Sequence, residues 1–367
     1  MTSNDFYCLV MAGGKGTRLW PESTSKKPKQ YMPLHGNKSL IESTFDRFNN
    51  LTVKENRYIV TTDEQADIAY ELCHPYLTSR GSLVLEPSGR NTAPCILLSL
   101  VTLLKGGAKP SDIVAIVPSD HVILNVKAYE QTISYARDLA SKEQKIVTIG
   151  IVPTFPHTGF GYIHRGTQVE KSHDLSSFHV QAFKEKPAFE TAKSYIASGE
   201  YYWNAGMFVA PIGVLLGELE SLSPEIFAHA APLKAVLYDK TELAEAYNQI
   251  PENSIDYAVM EKSKKILVVP ALFDWNDLGS WDALESVMNP IKGNSLLNER
   301  SKNGECYLEG SSGNIVYAPK QFVALVGIQD LIVVSNDRAL LIMPKKDAQK
   351  VKDVYQFIKE NKLTDLI

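Results

Sequence analysis

Apolar residues in the first two thirds of the chain arrive in short runs that alternate with stretches of helical spacing. Phe6–Met11 is a six-residue apolar run that stops just before Gly13-Gly14, the pattern of a buried parallel strand. Ser39 with Glu42 three residues on forms a capping box, and Leu40, Ile41, Thr44, Phe45 and Phe48 follow at helical intervals. Arg57–Thr61 reads as a second strand, and Asn91 or Thr92 is placed to cap a helix running through ILLSLVTLL to Gly106. Ile113–Val117 is a third strand leading into Pro118-Ser119-Asp120, followed by a helix over Tyr129–Ala140 and a strand over Ile146–Ile151. Strands that alternate with helices predict an α/β fold with a mostly parallel sheet covered on both faces.

The rhythm changes near Ser295. Short runs at Ile315–Ala318, Phe322–Val326, Leu331–Ser335 and Ala339–Met343 are separated by Gly, Asn, Asp or Pro-Lys breaks, which predicts a small all-β unit. Val351, Val354, Tyr355 and Ile358 then fall on one face of a last helix. The expected division is a first domain over 1–290 and a second over 291–367.

Composition narrows the class without naming it. A net charge of −4 argues against a nucleic-acid partner, and the longest apolar helix-like run, Ile96–Leu104, is too short to span a bilayer. The N-terminus lacks the basic and apolar regions of a secretory signal, and Cys8, Cys73, Cys95 and Cys306 lie far apart with no C-x-x-C pair. Both features lead to the expectation of a cytoplasmic protein.

Several motifs could carry chemistry. Ala12-Gly13-Gly14-Lys15-Gly16-Thr17-Arg18 follows the first strand but matches neither a P-loop nor a dinucleotide fingerprint. Its glycines let backbone N–H groups close around phosphate oxygens; equally, it could be a plain strand-to-helix turn. Lys26, Lys27 and Lys29 extend the positive charge, or form a solvated face. In Glu86–Pro94, Arg90, Asn91 and Thr92 either bind a nucleotide at a helix N-terminus or cap that helix, although capping has no need of Arg90. Asp120 follows a buried strand, where ligands of open α/β sheets bind, and a carboxylate near phosphates suits magnesium. His121 beside it has no second ligand at metal spacing and is read as structural. Among aromatic residues that could simply be core, Glu185, Lys186 and Asn204 are polar groups of the kind a phosphosugar needs. Asp277 supplies a further carboxylate, or caps a helix begun by Gly279 or Ser280. If the apolar segments before Asp120 and Asp277 are neighbouring strands, their carboxyl ends bring the two aspartates together.

Taken together, GGKGTRLWP, PKQ, EPSGRNTAP, PSDH, GFGYI, FKEKP, WNAGMF, SIDYAVME and DLGSW, in this order over roughly residues 9 to 282, resemble the mannose-1-phosphate guanylyltransferases of the sugar nucleotidyltransferase superfamily. The resemblance implies a Rossmann-like nucleotidyltransferase domain followed by a short left-handed β-helix domain and a C-terminal helix. It implies that Ala12, Gly13, Gly14, Lys15, Gly16, Thr17 and Arg18 hold a triphosphate, with Lys29 set against the nucleotide phosphates. Arg90, Asn91, Thr92 and Ser119 are the implied nucleotide contacts. Gly161, Glu185 and Asn204 are the implied sugar contacts, Lys186 the cation on the sugar phosphate, and Asp120 and Asp277 the ligands of Mg²⁺. Arg18, Lys29 and Lys186 would then carry the catalysis. GTP and mannose 1-phosphate are the implied substrates, and a homodimer through the C-terminal domain the implied assembly. WPES and WNAGM stand where WPLS and WNSGM are common. The chain ends before the isomerase domain that many bacterial relatives carry, so a second isomerase activity is not expected. Three other readings are the same chemistry on another sugar or nucleotide, a silent sugar-nucleotide binder, and a dinucleotide-dependent oxidoreductase. The last is disfavoured by Leu19 where a third glycine belongs.

Overall fold

A computed structural model describes residues 4–14, 16–34, 36–288 and 290–366, leaving aside the side chains of 299 and 300. The chain forms two compact units that do not follow its linear order. One draws on segments 1–13, 45–118 and 123–274, the other on segments 14–44, 119–122 and 275–367.

The first unit is built on a nine-stranded sheet: β1 (Phe6–Met11), β2 (Arg57–Thr62), β3 (Leu83–Glu86), β4 (Ile113–Pro118), β5 (Ile146–Ile151), β6 (Tyr162–Ser172), β7 (Leu175–Lys184), β8 (Tyr201–Pro211) and β9 (Ile266–Pro270). Their order is β3-β2-β1-β4-β8-β5-β9-β7-β6. The first four run parallel, as do β5 and β9, while β8 is antiparallel between β4 and β5. Burial explains the continuous runs: all six residues of β5 and five of the six in β4 are buried, as a strand covered on both faces requires. The helix Thr92–Lys105 buries ten of its fourteen residues, so ILLSLVTLL is apolar nearly all round because it lies inside. Each Leu, Ile or Val removed from water there contributes roughly 1.5–3 kcal/mol. By contrast, β6 and β7 form a hairpin with much of its surface in solvent. Within the described residues no helix is long and apolar enough to cross a membrane.

The second unit holds β10 (Ser295–Leu297), β11 (Cys306–Glu309), β12 (Ile315–Tyr317), β13 (Val323–Val326), β14 (Leu331–Ser335) and β15 (Leu340–Pro344). Successive strands alternate between two parallel sheets, β10-β12-β14 and β11-β13, so the chain winds as a β-helix, and antiparallel β15 ends the coil. Asn314 donates through Nδ2 to Asn294 Oδ1 at 2.8 Å, one step of an asparagine ladder that satisfies buried turn groups. The helix Val351–Glu360 buries Val351 and Ile358. Leu19, Trp20, Met32 and Leu34 share one apolar core with Trp281, Tyr317, Ile332 and Ile358. Trp281 Nε1 donates to the Trp20 carbonyl and Trp20 Nε1 to the Leu366 carbonyl, both at 2.9 Å. A chain cut after the first 290 residues would therefore strip this core rather than release an independent module.

Candidate active site

Within the second unit the phosphate-type residues gather around one lysine. Lys29 opens a single 3₁₀ turn, Lys29–Tyr31, and is buried. Its ammonium lies 2.8 Å from Asp120 Oδ2, 2.5 Å from the Asp277 carbonyl oxygen and 3.4 Å from that of Leu278. Gly16 explains how the loop sits against it. With φ at +58°, a Cβ there would come within 2.7 Å of Lys29 Cβ, so only glycine fits. Gln30 Nε2 donates to the Gly14 carbonyl at 3.1 Å and ties the loop down from the other side. Thr17 begins the next 3₁₀ turn and Arg18 extends into solvent. Lys15 lies outside the described residues.

The expectation that Asp120 and Asp277 follow neighbouring strands is incorrect: β8 and β5 stand between β4 and β9. What joins the two segments is a bridge just past the strand ends. Val122 N–H donates to the Asn276 carbonyl at 2.9 Å and Asn276 N–H returns the bond at 3.0 Å. Burial would raise the Asp120 carboxyl, but Lys29 and His121 outweigh it and hold it below the usual range. Asp277 Oδ1 accepts the Gly279 N–H at 3.2 Å, whereas the 3₁₀ helix Trp281–Val287 begins after Ser280; the carboxylate thus shapes a turn and does not cap that helix. Ser119 is buried, and its carbonyl lies 3.5 Å from Thr44 Oγ1. His121 takes the Trp275 Nε1–H on Nδ1 at 3.1 Å, which assigns the proton to Nε2, 3.8 Å from Asp120 Oδ1. It serves as packing and orientation.

In the first unit, Ala12 follows β1 with both backbone groups engaged: its N–H on the Val60 carbonyl at 2.8 Å and its carbonyl under Thr61 Oγ1 at 3.0 Å. A Cβ on Gly13 would stand 3.3 Å from Glu86 Oε2. Glu86 is buried at the carboxyl end of β3 and accepts the Tyr247 hydroxyl at 2.6 Å. Burial raises its pKa, while bonds from Tyr247 and Cys95 pull the other way. The neighbouring loop is held by its own polar groups. Arg90 donates to the Ile250 carbonyl at 2.8 Å, Thr92 Oγ1 accepts the Ile255 N–H at 2.8 Å, and Asn91 Oδ1 takes the Thr92 N–H at 2.9 Å.

A second cluster of this unit brings Gly161, Glu185, Lys186 and Asn204 together. Lys186 Nζ sits 2.8 Å from Glu185 Oε1, a bond that raises its pKa. A Cβ on Gly161 would come within 2.5 Å of Glu185 Oε2, so glycine makes room for this carboxylate. Asn204 N–H donates to the Gly161 carbonyl at 2.8 Å, and its Nδ2 donates to Asp256 Oδ1 at 3.0 Å. Glu86 and Asp256 belong to motifs noted in the sequence but received no role there. Their signal is a lone carboxylate in an apolar setting, visible only once burial is known. Among the described residues, eight non-glycine residues have positive φ, and three of them are Asn91, Lys186 and Leu278, each inside one of these motifs. Left-handed backbone at such positions costs energy and collects at functional sites.

The nucleotidyl transferase family model matches residues 7–293, and that of the mannose-phosphate isomerase/GMP-like β-helix domain matches residues 309–356. The mannose-1-phosphate guanylyltransferase of Escherichia coli K12 is 36% identical over 364 residues, covering 98% of this chain and 74% of the relative. That of Salmonella montevideo is 37% identical over 363 residues, covering 96% and 73%. A crystal structure from Thermus thermophilus, described as a mannose-1-phosphate geranyltransferase, superposes with a TM-score of 0.84 at 32% identity, covering 97% of this chain and 99% of that one.

Proposed function

Because the chain belongs to the nucleotidyl transferase family, we propose that it transfers the guanylyl group of GTP to α-D-mannose 1-phosphate, giving GDP-mannose and pyrophosphate. The observation that carries the chemistry is the buried Lys29 ammonium against Asp120 and the Asp277 carbonyl. The nucleophile, a phosphate oxygen of the sugar phosphate, is already an anion and needs no general base. What opposes its in-line attack on the α-phosphorus is charge: two like charges about 4 Å apart repel by roughly 4 kcal/mol at an effective dielectric near 20. Lys29, Arg18 and Lys15 offset that on the triphosphate and Lys186 on the sugar phosphate, so catalysis is positioning plus electrostatics. Asp120 and Asp277 are the residues that would hold Mg²⁺, which supplies further neutralisation of phosphate charge when bound. Among the described residues no cluster of three His, Cys, Asp or Glu could form a metal cage. Two carboxylates are enough for an ion that keeps waters and takes its other ligands from substrate phosphates. Guanine presents two adjacent donors, N1–H and the 2-amino group, and the buried carboxylate of Glu86 is the complementary acceptor. The guanylyl reading is preferred to the prenyl transfer in the name of the Thermus structure because the matching family model is that of nucleotidyl transferases.

Pyrophosphate release from GTP, dTTP and UTP across a panel of sugar 1-phosphates, with and without Mg²⁺, tests the reading. GTP with mannose 1-phosphate gives the highest kcat/KM, and chelation of the metal abolishes it. A better pair of substrates, or turnover without divalent metal, would replace it.

The remaining proposals are a cytoplasmic location, supported by four cysteines that form no disulfide and of which three are buried, and a homodimer through the β-helix unit. Supporting the dimer, β15 is an edge strand whose Leu340 and Ile342 are 61% and 58% exposed. Solvent-exposed apolar edges call for a partner. Light scattering of the full-length protein should give twice the chain mass, and Ile342→Lys should halve it. A monomeric wild type would end the idea.

A further inference from the structure

Asp256 has no task in the reaction above, yet its surroundings are those of a working residue. It begins a single π-helical turn, Asp256–Met260, a local irregularity that costs regular hydrogen bonding and recurs at functional sites. The turn is fastened at its start, where the Ile255 N–H donates to Thr92 Oγ1 at 2.8 Å, and is closed by its own bond from the Glu261 N–H to the Asp256 carbonyl at 2.9 Å. The Asp256 carboxyl accepts from Asn204 Nδ2 at 3.0 Å, while Asn204 Oδ1 accepts the Gly206 N–H at 2.9 Å. Bonds at both ends of one amide fix its plane and settle which end is nitrogen. One N–H of Nδ2 remains for a ligand.

We propose that Asp256, as a carboxylate, is a positioning residue that aims the remaining Asn204 N–H at a hydroxyl of the sugar 1-phosphate. This deepens the guanylyltransferase reading and rests on it. The groups facing Asp256 are Glu185 and Lys186 from the segment after β7 and Asn204 from β8, with Tyr257 beside it on its own turn and Glu261 receiving the Glu185 N–H. Burial first and Glu185 second push the Asp256 carboxyl up to about 6, against the opposing pull of Lys186 and Asn204. The sign follows. A carboxyl whose pKa is higher folded than unfolded destabilises the fold above about pH 6, and the penalty fades as pH falls below that value. At neutral pH the fold therefore carries an ion it would be more stable without, as sites kept for function do.

The test uses full-length protein with GTP and mannose 1-phosphate from pH 5 to pH 8. Asp256→Ala removes the acceptor and should raise the KM for mannose 1-phosphate about tenfold or more, with the KM for GTP within about twofold. Asp256→Asn keeps an acceptor but not the charge. Its KM for the sugar, divided by that of the wild type, should exceed one at pH 8 and approach one below pH 6; the ratio cancels titration of the substrate. Its Tm should exceed that of the wild type at pH 8, and the gap should close below pH 6. Equal rises in both KM values, an unchanged sugar KM in Asp256→Ala, or a ratio flat with pH would overturn the proposal while leaving the enzyme's identity intact. A wild type that does not turn over mannose 1-phosphate would overturn the underlying reading and this proposal with it.

Discussion

Lys29→Ala lowers kcat for GDP-mannose formation by about 10²–10³-fold, the size expected when a pre-aimed charge is removed from a phosphoryl-type transition state. The ammonium is held by Asp120 and two backbone carbonyls, so it cannot swing away and water cannot take its place at low cost. Charge builds at the α-phosphorus only during transfer, which is why the loss appears in kcat more than in either KM. A second signature separates chemistry from folding. Asp120 lies below the usual carboxylate range partly because of Lys29, so the variant's Asp120 titrates at a higher pH and turnover falls off earlier on the acid side. Steady-state kinetics over pH, with a melting curve to exclude unfolding, decides the matter. A variant with unchanged kcat would reduce Lys29 to a structural tie between chain segments.

Glu86→Gln should change which nucleotide is used. A carboxylate accepts from both guanine donors, whereas a glutamine amide offers one acceptor and one donor, the complement of N3–H and O4 on uracil. Losing a hydrogen bond to a charged group costs roughly 1.5–3 kcal/mol, so kcat/KM for GTP falls by about 10–150-fold while that for UTP rises. The bond from the Tyr247 hydroxyl survives, because the amide oxygen can still accept it. Burial raises the Glu86 pKa, so the isosteric neutral side chain leaves stability at pH 7 unchanged or higher. Parallel kcat/KM measurements with GTP and UTP give the answer. An equal loss with both nucleotides would mean that Glu86 supports the loop and does not read the base.

These two residues also mark the limits of the sequence. Buried parallel strands are continuous apolar runs, so β1 and β5 can be bounded to the residue from composition alone, and Leu331–Ser335 in the β-helix likewise. Other strands are not visible that way. β8 mixes Asn204 and Gly206 with aromatics, and β10 has three residues, too few for any period to show. The sugar-side motifs were legible as motifs but not as strands for the same reason. Crossovers leave no local mark: nothing near Asp120 announces that β8 and β5 will separate β4 from β9, or that Val122 will pair with Asn276. Lys29 stands out as a cation in a basic stretch, but its burial does not, since a lysine cluster is normally a solvated face. Glu86 and Asp256 are single carboxylates without a period, and only the enclosing fold distinguishes them from surface acids.

The lysine and the two aspartate segments it joins come from three separate pieces of chain, and Lys29 and Asp277 are 248 residues apart. At a synthesis rate of about 5–20 residues per second, a ribosome delivers Asp277 roughly 12–50 s after Lys29. During that interval the strands β2 to β9 of the large sheet are added behind the glycine loop, but the carbonyl that anchors the lysine is made only at its end. A chain interrupted before Asp277 therefore lacks the backbone oxygen that holds the Lys29 ammonium in place.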